Sequence, residues 1–433
     1  MIYHTIITHE NPDLDAILSS LLLKLFGEEK FPGVSKAKME FVSAGVLYKG
    51  ENAQNLLEQG IITVDTGGGQ FDTHPDENNK VDRAKLNRSA SDLVAEYLGI
   101  LSDPQWKLII EYTRIHDSTG VSLISSDQIH HLISIQSILN GLKILYPSDN
   151  HKMIEMGSLI LTSMAHYFKK DWDGSIDEMN ALLASKVSSF LNELVDVPNE
   201  AKEKLFKWVG RIEDRDAKAF PTEALDLAVN IRTIFLGAWS KDQHGGLELL
   251  KLCLDAIIAR EYHWYNAIID IKENALVKKI GKVKICFIKS TNPLVIKASR
   301  FVEKADLTIF QDGKSESITF LIRKHGRIKN GIFRKLIQSI RIAECVELNL
   351  DYENGKLNAM GDAYNWFFHQ SGNFIINGSA KAKIFTPTKI KIEDLLQLTY
   401  CEVGFFLNVK DPIEYPDQYR GEINKHKLSN LFW

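Results

Sequence analysis

Residues 61–74 read "IITVDTGGGQFDTH". An apolar, β-branched run ends on Asp65, three glycines follow, and Asp72 and His74 close the stretch. A short apolar run that stops at glycine reads as a strand leaving a sheet. The same order of events occurs at the start of the chain. There "TIIT" (5–8) runs into "HENPDLDAILSS" (9–20), placing His9, Asp13 and Asp15 between a strand and a helix. The helix-like run "DAILSSLLLKLFG" ends at Gly27, "MEFVSAG" (39–45) is another short β-rich run, and "SASDLVAEYLG" reads as a helix opened by a Ser-x-x-Asp cap and closed by Gly99. Strands alternating with helices predict an α/β fold with a parallel sheet covered on both faces. Sites in such sheets form beyond the carboxyl ends of the strands. The polar clusters sit at those ends.

At 433 residues the chain exceeds one ordinary core. After the strand–helix alternation of 1–121, the pattern over 122–277 is mainly helical, with amphipathic runs such as "HKMIEMGSLILTSMAHYFKK". Residues 278–433 return to α/β in "KVKICFI", "NPLVIKASRFVEKA", "LTIFQD", "SITFLIRK" and "GIFRKLIQSIRIAE". The expectation is an N-terminal parallel-sheet domain, a helical connecting segment suited to spacing or homodimer contact, and a smaller C-terminal α/β domain. With 44% apolar and 25% charged residues the composition is that of a soluble globular protein. A net charge of −4 argues against general nucleic-acid binding. The four cysteines lie far apart without C-x-x-C spacing, which argues against zinc ribbons and disulfides. No membrane span and no secretory leader pattern is present, so the expected location is cytoplasmic.

His9, Asp13 and Asp15 form a hard-donor set suited to Mn²⁺ or Mg²⁺ rather than structural zinc, although an aspartate before a helix also serves as a cap. Asp65, directly after a strand, can offer one oxygen to each of two cations. Gly67, Gly68 and Gly69 let backbone N–H groups approach a phosphate, or simply make a flexible turn. Asp117 follows an apolar helical stretch in "EYTRIHDSTG", with His116 beside it. In the last third, Arg323 in "FLIRKHG" and His369 in "WFFHQSGNFIINGS" suit a phosphate or nucleotide if they lie on loops.

Together these residues resemble the DHH phosphoesterase superfamily, best over residues 1–120. Its first element matches at His9, Asp13 and Asp15, its lone aspartate at Asp65 and its last aspartate at Asp117. The resemblance implies two Mn²⁺ (or Mg²⁺) ions, one held by His9, Asp13 and Asp65 and the other by Asp15, Asp65 and Asp117. His74 or Gly67–Gly69 would then lie on the phosphate. The name-giving triplet reads Asp72-Thr73-His74, with threonine in place of a ligating imidazole. Three consequences stand side by side: a weakened second cation, replacement by His116 or His74, or loss of catalysis. The second α/β unit is similar to the family's substrate domain in element order, without its Gly-Gly-Gly-His motif. The expected function is metal-dependent hydrolysis of a phosphate ester or anhydride in a small nucleotide, short oligonucleotide or polyphosphate. The alternative is a regulatory protein that binds nucleotide or phosphate without turnover.

Overall fold

A computed structural model describes residues 1–43, 46–74, 85, 87–119, 128–169, 175–194, 197–213, 229–323, 326–328, 330–350, 366–368, 374–377, 387–409 and 413–429. It is a mixed α/β protein with an N-terminal parallel sheet, a helical middle and a C-terminal α/β part. Three strands, β1 (Thr5–His9), β2 (Lys38–Val42) and β3 (Ile61–Thr63), form the first sheet in the order β2-β1-β3. Both pairings are parallel, with Ile7 opposite Glu40 on one side and Thr63 on the other. Ile6 and Ile7 are fully buried, so β1 is covered on both faces, as a central parallel strand requires. Its carboxyl end therefore opens between those of its neighbours.

Helix α1 (Leu14–Phe26) leaves that end, and the Gly27 N–H closes it on the carbonyl of Leu23 at 2.8 Å. It packs against α3 (Ala90–Tyr97), which follows α2 (Ala53–Glu58), and against α4 (Lys107–Thr119). The capping serine of α3 is Ser89, whose hydroxyl accepts the Asp92 N–H. Next come α5 (Gln128–Ile133), α6 (Ile135–Leu145), α7 (Asn150–Lys169), α8 (Ile176–Glu193), α9 (Asn199–Glu213), α10 (Ile231–Lys241) and α11 (Gln243–Asn274).

The chain divides into two compact units, Met1–Tyr262 and His263–Trp433. Ile6, Ile17, Val94, Ile109, Leu139, Met164, Phe235 and Ile257 belong to one continuous apolar core. Residues 121–122, where the sequence suggests a boundary, lie outside the described residues; the described helices from Gln128 to Tyr262 group with the first unit and contribute to its core. Periodicity shows that a helix has an apolar face but not which surface that face will cover.

Two helix crossings in this layer are backbone-close. A Cβ on Gly141 of α6 would lie 1.9 Å from the Ala256 carbonyl oxygen, and one on Gly237 of α10 would lie 1.8 Å from that of Ser163. Gly237→Ala is expected to destabilise the protein by about 1–3 kcal/mol, as overpacking does. Urea denaturation reads this directly; an unchanged midpoint would place the two helices farther apart.

The second unit holds a six-stranded sheet ordered β4-β5-β6-β7-β9-β8. The strands are β4 (Leu276–Ile280), β5 (Val283–Ser290), β6 (Leu307–Asp312), β7 (Ile318–Ile322), β8 (Trp366–Phe368) and β9 (Phe374–Asn377), and only β5 and β6 pair in parallel. Helix α12 (Val295–Val302) joins β5 to β6, and α13 (Asn330–Leu348), α14 (Ile392–Phe406) and α15 (Asp417–Ser429) complete the unit. Its main core runs from Ile285 and Leu307 through Phe333 and Ile340 to Trp366 and Tyr419. All four cysteines are buried, and none is joined in a disulfide among the described residues. No helix among the described residues is long and apolar enough to cross a membrane.

Candidate metal centre

The carboxyl ends of β1 and β3 bring His9 and Asp65 together. His9 Nδ1 pairs with the Glu10 carbonyl oxygen at 2.8 Å, which turns Nε2 toward Asp65 Oδ2 (3.2 Å) and Asp13 Oδ1 (3.9 Å). An imidazole that spends one N–H on a carbonyl and aims its other nitrogen at carboxylates has the orientation of a metal ligand. Asp13 is the N-cap of α1, and its Oδ1 accepts the N–H groups of Asp15 and Ala16 at 3.0 and 3.1 Å. Both the capping and the ligand readings of this aspartate therefore have geometry behind them.

Asp65 carries the strongest local signal. Its backbone is left-handed, with φ of 53°, a conformation costing a non-glycine residue roughly 1–2 kcal/mol. The side chain is 2% exposed, and Oδ1 accepts no hydrogen bond from the described residues. Its two oxygens face different imidazoles: Oδ2 faces His9, and Oδ1 faces His74 Nδ1 at 3.6 Å. The hydroxyls of Thr8 and Thr66, one residue before His9 and one after Asp65, are also buried and have no hydrogen-bond partner among the described residues. A buried carboxylate oxygen left without a donor fits a cation.

The glycine loop then folds back on itself. Gly67 and Gly68 adopt φ of 78° and 70°, and a Cβ on Gly69 would come within 2.8 Å of Ala53 Cβ. Asp72 closes the loop by accepting the Gly68 N–H on Oδ2 at 2.7 Å and the His74 N–H on Oδ1 at 2.9 Å. That commits the Gly68 amide internally rather than to a phosphate. His74 Nδ1 lies 2.8 Å from Asp72 Oδ1. Lys85 braces the same loop, donating to the carbonyls of Gly69 and Asp72 at 2.7 Å each. Thr73 is half-buried.

Two groups result, His9–Asp13–Asp65 and Asp65–Asp72–His74, and in each the donor atoms lie within 4.8 Å of one another. The first has the membership the sequence pointed to. The second differs. Asp72 and His74 join Asp65, whereas Asp15 turns inward: it is 1% exposed, with Oδ2 accepting the Ala90 N–H at 2.6 Å and Oδ1 the Ser91 N–H at 2.8 Å. Both its oxygens cap α3, 75 residues downstream. Asp117 is half-buried on α4, close enough that its charge acts on His74. His116 stacks on Tyr112 with ring centres 6.3 Å apart. Arg323 is an exposed residue directly after β7, in the second unit, and His369 lies outside the described residues.

The site's ionisation follows from crowding five carboxylates into a partly buried space. Burial raises Asp15 to about 6, aided by Asp13 and opposed by the Ser91 and Ala90 N–H groups. Burial and the charges of Asp15 and Asp13 raise Asp117 to about 7. Burial, with Asp15 and Asp13 adding to it, lifts Asp65 well above the usual carboxylate value despite His9. Desolvation opposes charge on His9, but Asp13 and Asp65 outweigh it and hold the imidazole to about 10. His74 is raised to about 9, chiefly by its bond to Asp72. Burial acts against Asp13, yet His9 and the Ala16 amide bring it down to about 2. Without cations this centre keeps protons that a solvated site would release.

That gives a signed pH dependence. An acid or imidazole whose folded pKa exceeds its unfolded value gives the folded state more protons, so stability falls as pH rises through the folded value. For chelator-treated protein, the melting temperature is therefore expected to drop from pH 5 to pH 9, as Asp15, Asp117 and His74 lose protons. Divalent cations replace those protons, so added Mn²⁺ should raise the melting temperature more at pH 8.5 than at pH 6. Equal shifts at both pH values would show that protons and cations do not compete here.

Asp72 and Lys85 were not singled out in sequence as ligand and strut. Asp72 stands two residues before His74 within the altered triplet, which is a usable signal; nothing local marks Lys85. Comparison with protein-family models and with curated proteins gives no match to this chain.

Proposed function

We propose that this protein is a metal-dependent phosphohydrolase of the DHH kind, acting on a phosphate ester or anhydride. One observation carries the reading: a buried, strained Asp65 shared between two donor triads, with one oxygen toward each. Two divalent cations, when bound, lower the pKa of water and neutralise phosphoryl oxygens during in-line displacement. His9, Asp13 and Asp65 would hold one, and Asp65, Asp72 and His74 the other. Asp15 caps the N-terminus of α3, and Asp117, half-buried on α4 with its charge acting on His74, is the candidate for accepting or returning a proton. Small nucleotides, short oligonucleotides and polyphosphate are the substrates consistent with a net negative chain.

The alternative, binding without turnover, draws on Thr73, which leaves His74 as the one imidazole of the second triad, and on the commitment of both Asp15 oxygens to helix amides. The test strips the protein with chelator and reloads it with Mn²⁺, Mg²⁺ or Co²⁺. Phosphate release is then followed from pyrophosphate, mononucleotides, linear and cyclic dinucleotides and a generic phosphodiester. Metal-dependent release is expected from at least one. Silence with metal demonstrably bound would favour the binding protein.

A further inference from the structure

The turn that carries His9 and Asp13 is fastened from outside by the helical layer. Lys143 on α6 donates from Nζ to the Asn11 carbonyl at 2.9 Å, and the Asn11 N–H donates to Asn150 Oδ1, at the start of α7, at 2.8 Å. Asn11 itself is left-handed, with φ of 54°. Lys85 provides the comparison. It spends two donors on two loop carbonyls, as a strut would. Lys143 spends one of its three donors on a neutral oxygen, and among the described residues no carboxylate reaches ion-pair distance. The side chain is half-buried, and the charge that bears on it is that of Asp13. Asp13 is already engaged with His9 and the first amides of α1. An ammonium fastened to the turn two residues from Asp13, with no second acceptor among the described residues, is suited to an anion arriving with the cations.

We infer that Lys143 binds a phosphate group of the substrate other than the one attacked. The inference rests on the metal-centre reading above and narrows it. The substrate carries two neighbouring phosphates, as in a phosphoanhydride or a dinucleotide with a terminal phosphate. The helical layer is then part of the specificity apparatus rather than a spacer.

Calorimetry on the full chain, loaded with Mn²⁺, tests this with three non-hydrolysed or slowly hydrolysed probes. They are methylenediphosphonate, a 5′-phosphorylated dinucleotide with a phosphorothioate linkage, and methylphosphonate, which has a single phosphoryl group. Lys143→Gln should weaken at least one of the first two by about 10-fold or more, the size of a lost charge-assisted hydrogen bond. Methylphosphonate should change by less than about twofold, and Lys143→Arg should restore most of the binding. Whichever probe responds identifies anhydride or nucleotide. Three results would overturn the inference: no response of either two-phosphate probe, an equal loss for all three probes, or no binding by metal-loaded wild type. The hydrolase reading fails separately. Lys143-dependent binding without any phosphate release would remove turnover and leave the anion site. Turnover indifferent to Lys143 would do the reverse.

Discussion

Asp65→Asn is expected to lower metal-dependent phosphate release by at least ~10³-fold while the protein stays folded. The size follows from the role. A carboxylate shared by two cations supports several kcal/mol of charge stabilisation, and each ~1.4 kcal/mol is a factor of ten in rate. Asparagine is the informative replacement because it tolerates the left-handed backbone that Asp65 adopts at φ of 53°. It also keeps the side chain's volume. Removing one of several crowded carboxylates relieves repulsion with Asp13 and Asp15, so the chelated variant should melt no lower than the chelated wild type. The cation-induced rise in melting temperature should shrink sharply. Turnover within about tenfold of wild type would remove Asp65 from the centre, and with it the shared-ligand geometry.

The second large effect concerns stability. Asp15→Ala is expected to destabilise the protein by about 2–4 kcal/mol, read from urea denaturation at pH 7 without metal. The carboxylate accepts the amides of Ala90 and Ser91, and these are buried. Each orphaned buried donor costs about 1–3 kcal/mol. Removing a buried charge that Asp13 repels offsets part of this, which sets the upper end. Asp15→Asn should fall between, since an amide oxygen can satisfy one N–H but its NH₂ cannot accept the other. A variant as stable as wild type would mean that α3 is capped without Asp15, and would return this residue to the pool of ligand candidates.

These two aspartates show what local sequence can and cannot say. The strand-end position of Asp65 is legible because its signals are local: an apolar strand before it and glycines after it. The same holds for α1, which ends at Phe26 before Gly27, for the Ser89 cap of α3, and for β6, which matches "LTIFQD" residue for residue. Asp15 looked equally placed to bind metal, yet its partners lie 75 residues on, and no window of sequence reveals that. The glycine run invited a phosphate, but Asp72 accepts one of its amides, a contact set by backbone curvature rather than composition. The helical character of the middle stretch is legible, from "HKMIEMGSLILTSMAHYFKK" at α7 to the long α11, whereas the core its apolar faces join is not. Amphipathic faces find their partners only in three dimensions. Strand β4 was missed because "LVKKI" is exposed through its first four residues and carries little apolar pattern.

The grip of Asp15 on two backbone amides also makes the protein its own spectrometer. The Ala90 and Ser91 protons point at a carboxylate raised to about 6 and coupled by charge to Asp13. Their amide resonances in a ¹⁵N-labelled sample would move with the ionisation of that carboxylate. Any cation seated at Asp13 and Asp65 alters the field there. These two peaks, on a helix that belongs to neither donor triad, would report filling of the centre without substrate or turnover.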